Sequence, residues 1–163
     1  MKAMRILPFL AAAAAIVTAV SCDRPSYRLS QWHTLDEGGW AYANTLTFNN
    51  DAADSLEVGR IVVGVRHTAN YPYSNLWMEM SYDAGDTVPA LDTLEVRLAD
   101  TFGHWYGSGN GSSYQFTDTV TPRRRIVPGT KVHLRHIMRM DTVPELEQIG
   151  LTFLLGNRAN RAN

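Results

Sequence analysis

The sequence predicts an all-β protein: a single antiparallel β-sandwich or jelly-roll-like domain following an N-terminal lipoprotein signal peptide. Three observations predict it. Past the N-terminal segment, apolar side chains recur with a period of two, as on half-buried strands. Clusters of Asp, Asn, Gly and Pro punctuate these runs at short intervals, which suits many short strands joined by turns. Apart from the N-terminal segment, no stretch carries the apolar stripe of an amphipathic helix.

The strands follow in order. Runs near 26–34 and 40–48 come first. Residues 58–67 are rich in Val and Ile, which favour a pleated surface. Leu76, Met78, Met80 and Tyr82 alternate with Trp77, Glu79 and Ser81. Leu94, Val96 and Leu98 alternate with Thr93, Glu95 and Arg97. A strand near 114–121 follows. Val132, Leu134, Met138 and Met140 then alternate with Lys131, His133, Arg135 and Arg139, and a last run covers 149–155. Turns are predicted at Asp36 to Gly39, Asn49 to Asp51, Asp83 to Asp86, Gly107 to Gly111, and Pro128-Gly129. Val143 to Gln148 reads as one turn of helix, opened by Pro144 with Glu145 and Glu147 near its start.

The N-terminus has its own logic. Lys2 and Arg5 precede an apolar stretch from Ile6 to Val20, and the small residues Ala19 and Ser21 lead to Cys22. This order is that of a secretory signal peptide. The stretch falls short of the roughly 20 apolar residues that span a bilayer, and Pro8 interrupts it. Cys22 is the only cysteine, so no disulfide forms within the chain. Ala19-Val20-Ser21-Cys22 resembles a bacterial lipobox, with Ala19 where leucine is usual. The expected organisation is a signal peptide over 1–21, a lipidated tether over 22–26, a β-sandwich over 27–156 and a polar tail over 157–163. Lipidation would place diacylglycerol and palmitate on Cys22, and two or three acyl chains hold a membrane far better than one.

The chain of 163 residues has a net charge of −1, which gives no basic face for nucleic acid. Chemistry-bearing patterns are sparse. No Gly-x-Ser-x-Gly elbow is present, and the Gly107 to Gly111 run lacks the Gly-Lys-Ser/Thr of a phosphate loop. His133 and His136 have an odd spacing, so a strand sends them to opposite faces. His136 shares the face of Leu134 and Met138 and is expected to be buried and hydrogen-bonded. Asp51 with Asp54, or Asp83 with Asp86, completes no calcium loop. No carboxylate pair stands out as a glycosidase dyad. These readings predict no catalytic residue, no metal, no small-molecule substrate and no cofactor beyond the covalent lipid. Arg123-Arg124-Arg125 reads as a solvated loop, with contact to phosphate headgroups or an acidic partner as the alternative. Aromatic residues concentrate in two loops. Tyr71, Tyr73, Asn75, Trp77, Trp105 and Tyr106 are the candidate interaction surface, and closing the ends of the core is the competing role.

The segment His67-Thr68-Ala69-Asn70-Tyr71-Pro72-Tyr73-Ser74-Asn75-Leu76-Trp77 resembles the most characteristic stretch of the GldH family of gliding-motility lipoproteins. Asp92-Thr93, Leu98-Ala99-Asp100, Gly103 to Gly109 and Tyr114 are similar to its second block, and His136 to Arg139 with Leu146 and Ile149 to Leu151 to a third. The resemblance implies a lipoprotein of the cell envelope in Gram-negative gliding-type bacteria, tied to motility and to the associated secretion system. It carries no catalytic residues. The leading expectation is a non-catalytic docking component, anchored by default in the outer membrane facing the periplasm, with other envelope proteins as partners. The alternative is a glycan- or peptidoglycan-binding lipoprotein. Five Asp-Ser/Thr-aliphatic triplets, at Asp54, Asp86, Asp92, Asp118 and Asp141, resemble O-glycosylation acceptors and equally suit turn-to-strand transitions.

Overall fold

The computed structural model describes residues 28–51 and 58–155. Among these residues every regular element is a strand: β1 Arg28–Thr34, β2 Trp40–Ala41, β3 Leu46–Asn49, β4 Val58–Thr68, β5 Asn75–Tyr82, β6 Ala90–Arg97, β7 Ser108–Gly109, β8 Ser113–Val120, β9 Lys131–His136, β10 Thr142–Val143 and β11 Leu146–Leu155. One sheet runs β1-β11-β4-β8-β7, a second runs β3-β9-β5-β6, and β10 pairs with β2. Every pairing is antiparallel. Setting aside the three two-residue strands, the remaining eight lie in the orders 1-8-3-6 and 2-7-4-5. That is the connectivity of a jelly roll.

The two-residue period becomes burial. Ile61, Val63 and Val65 of β4 and Ile149, Leu151 and Phe153 of β11 are fully enclosed. From the other sheet Leu76, Met78 and Met80 of β5 meet them, with Val132 and Leu134 of β9 and Phe48 of β3. Each such side chain contributes about 1.5–3 kcal/mol by leaving water. No disulfide stands in for this core.

One open edge is closed by side chains. The Gln31 amide donates to the Asn49 carbonyl at 2.5 Å and accepts from the Asn49 N–H at 2.9 Å. His33 Nε2 lies 2.9 Å from the Thr47 carbonyl oxygen. Side chains of β1 thus take the place of a neighbouring strand along β3, which is how an exposed edge is blunted.

The elements depart from the sequence expectations in three places. The run 40–48 is two strands, because the chain turns after Ala41 and the Trp40 indole N–H donates to the Asn44 carbonyl at 2.8 Å. The strand expected over 131–140 stops at His136. Met138 and Met140 fold back, and their sulfurs accept hydrogen bonds from the Trp77 N–H at 3.4 Å and the Tyr73 hydroxyl at 3.6 Å. The helical turn expected over 143–148 is a strand junction, with Glu145 at a φ of 63° between β10 and β11. Leu146, Ile149, Leu151 and Phe153 must all face the core, and only extended chain with a bulge before Gln148 does that. Gly39 sits against this junction at φ 99°, where an added Cβ would lie 2.1 Å from the Val143 carbonyl oxygen.

The arginine run is an exposed loop, as expected, and its backbone is tied to the sheet edge. Asp92 is buried on β6 and accepts from the Tyr82 hydroxyl at 2.8 Å and from the Arg123 N–H at 3.0 Å. The Arg124 N–H donates to the same tyrosine oxygen at 3.1 Å, and its guanidinium pairs with Asp86 at 2.6 Å. Burial, reinforced by Asp92, pushes the Tyr82 pKa up to about 12. The run is therefore clamped to the edge of the second sheet, and Ile126 beyond it is fully buried.

Candidate functional site

Two of the aromatic residues singled out from the sequence, Tyr71 and Trp105, gather with Tyr114 around His67. This histidine is fully buried, with its ring centroid 4.4 Å from Trp105, 5.3 Å from Tyr71 and 5.9 Å from Tyr114. Its Nδ1 lies 2.8 Å from the Thr68 carbonyl, while Nε2 has no hydrogen-bond partner. Burial holds its pKa below the ordinary histidine value, opposed in part by the Thr68 carbonyl and Glu147. His67 is thus the neutral centre of an aromatic plug.

That arrangement sorts the six candidates. Tyr71 belongs to the core: it is 4% exposed, its hydroxyl donates to the Asn75 carbonyl at 3.0 Å, and burial raises its pKa. Tyr73 and Trp105 are partly buried, packing against the core and framing Tyr71. Asn75 is half-buried and donates to Glu95 at 2.9 Å. Trp77 and Tyr106 do meet solvent, at 38% and 55% exposure. Trp77 stands on the outer face of β5, and Tyr106 follows the loop that packs back on Ser74 through the N–H groups of Leu98 and Ala99.

The same loop carries Phe102, which the sequence reading overlooked. Phe102 is 84% exposed. Its position is built. The Asp100 carboxylate accepts from the N–H groups of Phe102 and His104, each at 2.8 Å, and from His104 Nδ1 at 3.0 Å. These bonds hold the Asp100 pKa below the usual carboxylate value. The Asp100 N–H donates to the His104 carbonyl, and Gly103 turns the chain at φ 85°. The signal was present in Asp100-Thr101-Phe102-Gly103: an aspartate and a glycine mark a turn, and an aromatic between them has no strand face to enter.

Elsewhere the two spaced histidines part as strand geometry requires. His133 bonds the Thr47 hydroxyl on the outer side, while His136 is fully buried. The hydrogen bond expected for His136 is absent, since both its ring nitrogens lack partners and its neighbours are the rings of Trp40 and Tyr42, each 5.6 Å away. Aromatic edges fill its surroundings, and the Trp40 backbone lies near without reaching hydrogen-bond geometry. Among the described residues no three His, Cys, Asp or Glu side chains cluster as metal ligands, and no helix is long and apolar enough to cross a membrane. Thr87, Thr93, Thr119 and Thr142 of the Asp-Thr-aliphatic triplets are exposed. Cys22, the signal, the tether, the Asp54 triplet and the polar tail lie outside the described residues.

The fold and its aromatic loops define a class: a β jelly roll that presents aromatic side chains from its loops. The chain belongs to the GldH lipoprotein family, whose model matches residues 28–153. It is similar to the gliding motility lipoprotein GldH of Flavobacterium johnsoniae, 26% identical over 144 residues that cover 85% of this chain and 87% of that protein. It is also similar to a gliding motility lipoprotein GldH homolog of Christiangramia forsetii, 29% identical over 98 residues that cover 59% of this chain and 57% of that one. Among solved structures it is similar to the Tobacco streak virus coat protein dimer, 8% identical, over 85% of this chain and 96% of that one, with a TM-score of 0.33. The topology described above rests on the strand pairings of this chain alone.

Proposed function

We propose that this protein is a non-catalytic docking component of a gliding-motility assembly and its associated secretion system, held at the cell envelope by lipid on Cys22. Outer membrane, facing the periplasm, is the proposed address. Its relatives in Flavobacterium johnsoniae and Christiangramia forsetii carry gliding-motility names, which supports the assembly. The observation that carries docking is Phe102, an apolar ring 84% exposed on a loop stiffened by Asp100. A rigid aromatic anchor loses little conformational entropy on binding, and such residues dominate interface energetics. Tyr106, 55% exposed, follows the same loop in the chain, while Tyr71 is buried and Tyr73 and Trp105 pack against the core. Confinement to a membrane raises the effective concentration for the weak contacts such a small patch makes.

The test is co-purification from the native envelope with wild-type, Phe102→Ala and Cys22→Ser proteins. F102A should keep its membrane fraction and thermal unfolding yet lose its set of partners. C22S should leave the membrane fraction. Unchanged partners in F102A would overturn docking through this loop, and unchanged sedimentation of C22S would overturn the anchor.

A further inference from the structure

The outer face of the five-stranded sheet is organised around Trp32. Its register partners in the next two strands are Gly150 and Gly64. A Cβ built on Gly64 would stand 2.3 Å from the indole, and one on Gly150 would stand 2.5 Å from it. The six-membered ring of Trp32 therefore lies on bare backbone across two strands. Glycine within a strand weakens it, so two aligned glycines in neighbouring strands point to a required close approach. One side of the ring rests on that floor, and the residue keeps 37% of its surface open to solvent.

The rows flanking the indole are polar. On one side lie Ser30, Thr152, Val62 and Thr119; on the other Thr34, Gln148, Arg66 and Gln115. They are pre-set by cross-strand hydrogen bonds: Thr152 to Ser30 at 2.9 Å, Gln148 to Thr34 at 3.0 Å, and Arg66 to Gln115 at 2.7 Å. Each of these groups keeps further donor or acceptor capacity toward solvent. The Arg66 guanidinium lies over the Trp32 ring, 6.0 Å from its centre, and also borders an open cleft of about 590 Å³. Asn110, Ser113, Gln115 and Glu147 line that cleft, with the Ser113 hydroxyl donating to Glu147 at 2.5 Å.

The geometry points to a polysaccharide-binding face, with Trp32 as stacking platform and the Arg66–Gln115 cleft as a neighbouring sugar subsite, for uncharged hexopyranose or N-acetylhexosamine units. The chemistry selects the class. A pyranose offers an apolar C–H face to an aromatic plane and a rim of hydroxyls to amides, hydroxyls and guanidinium. Those are the groups that surround Trp32. A protein hot spot would need further apolar groups around the anchor, and the adjacent rows supply only Val62. Arg66 is the one charged side chain in those rows, which suits a neutral chain better than an acidic one. This site shares no residue with the Phe102 loop, so substitutions can test the two independently.

The probes are chitohexaose and cellohexaose, titrated calorimetrically into the full chain in a detergent without a sugar headgroup. Saturable binding of at least one is expected. Trp32→Ala should weaken it about tenfold or more, the scale of a lost aromatic contact. Trp32→Tyr should retain most of it, Gln115→Ala should weaken it several-fold, and F102A should leave it unchanged. Absence of binding to both probes overturns the proposal, as does wild-type affinity in W32A. Should W32A fail to fold, wild-type affinity in Q115A overturns it equally.

Discussion

Replacing His136 with leucine should stabilise this domain, and should do so most at acid pH. The ring is fully buried with both nitrogens unpartnered. A buried polar group without a partner costs about 1–3 kcal/mol, and His136 carries two. Leucine removes both and fills a similar volume. Lost with the ring are edge contacts to Trp40 and Tyr42, each worth about 0.5–1.5 kcal/mol. The balance is a gain of roughly 1–3 kcal/mol at pH 8, or several degrees in Tm. Acid adds a second effect. Burial lowers the His136 pKa, only partly opposed by the Trp40 backbone, so the unfolded chain takes up a proton first as pH falls. Stability is therefore complete above the ordinary histidine value of 6.5 and declines below it until the lower folded pKa is reached. Within that window each histidine costs up to about 1.4 kcal/mol per pH unit. His67, also buried with a lowered pKa, behaves the same way. Urea unfolding of wild type and H136L between pH 8 and pH 5 measures both effects. H136L should start more stable and lose stability about half as steeply. A variant destabilised at pH 8 with an unchanged acid slope would refute the reasoning.

Two further outcomes follow from particular contacts. Asp92→Ala strands the Tyr82 hydroxyl and the Arg123 N–H inside the edge of the second sheet, and should cost about 2–4 kcal/mol in urea unfolding, with Asp92→Asn intermediate. Asp100→Ala should speed amide exchange at Phe102 and His104 while leaving global unfolding nearly unchanged. In the wild type, because the folded Asp100 pKa is lowered, that bracing persists at neutral pH and is lost as pH falls through the folded value, below 3.8. Exchange rates that do not respond to Asp100→Ala would show that the loop is held by something else.

How far the sequence could be read depended on how local each cause was. Alternation along Leu76 to Tyr82 is a property of consecutive residues, and it became a buried face. Asp83 to Asp86 needed only its own side chains, with the Gly85 N–H donating to the Asp83 carboxylate at 2.7 Å. Val143 to Gln148 misled because its local helix signals were weaker than β11's pairing with β1 and β4, which no local window contains. The aromatic loops were legible as a concentration of rings. Which rings face water was not, because that depends on whether His67 arrives from β4 beneath them.

Composition and order by themselves determined the lone cysteine behind a charged-then-apolar start, the β class and most strand positions, since these follow from residue type and a period of two. Only the tertiary structure decided that Tyr71 is enclosed while Phe102 projects, that the arginine run is clamped by Asp92, and that Trp32 lies flat on two glycines. Each of those facts joins residues far apart in the chain, and burial and hydrogen-bond partners exist only once the two sheets have closed on each other.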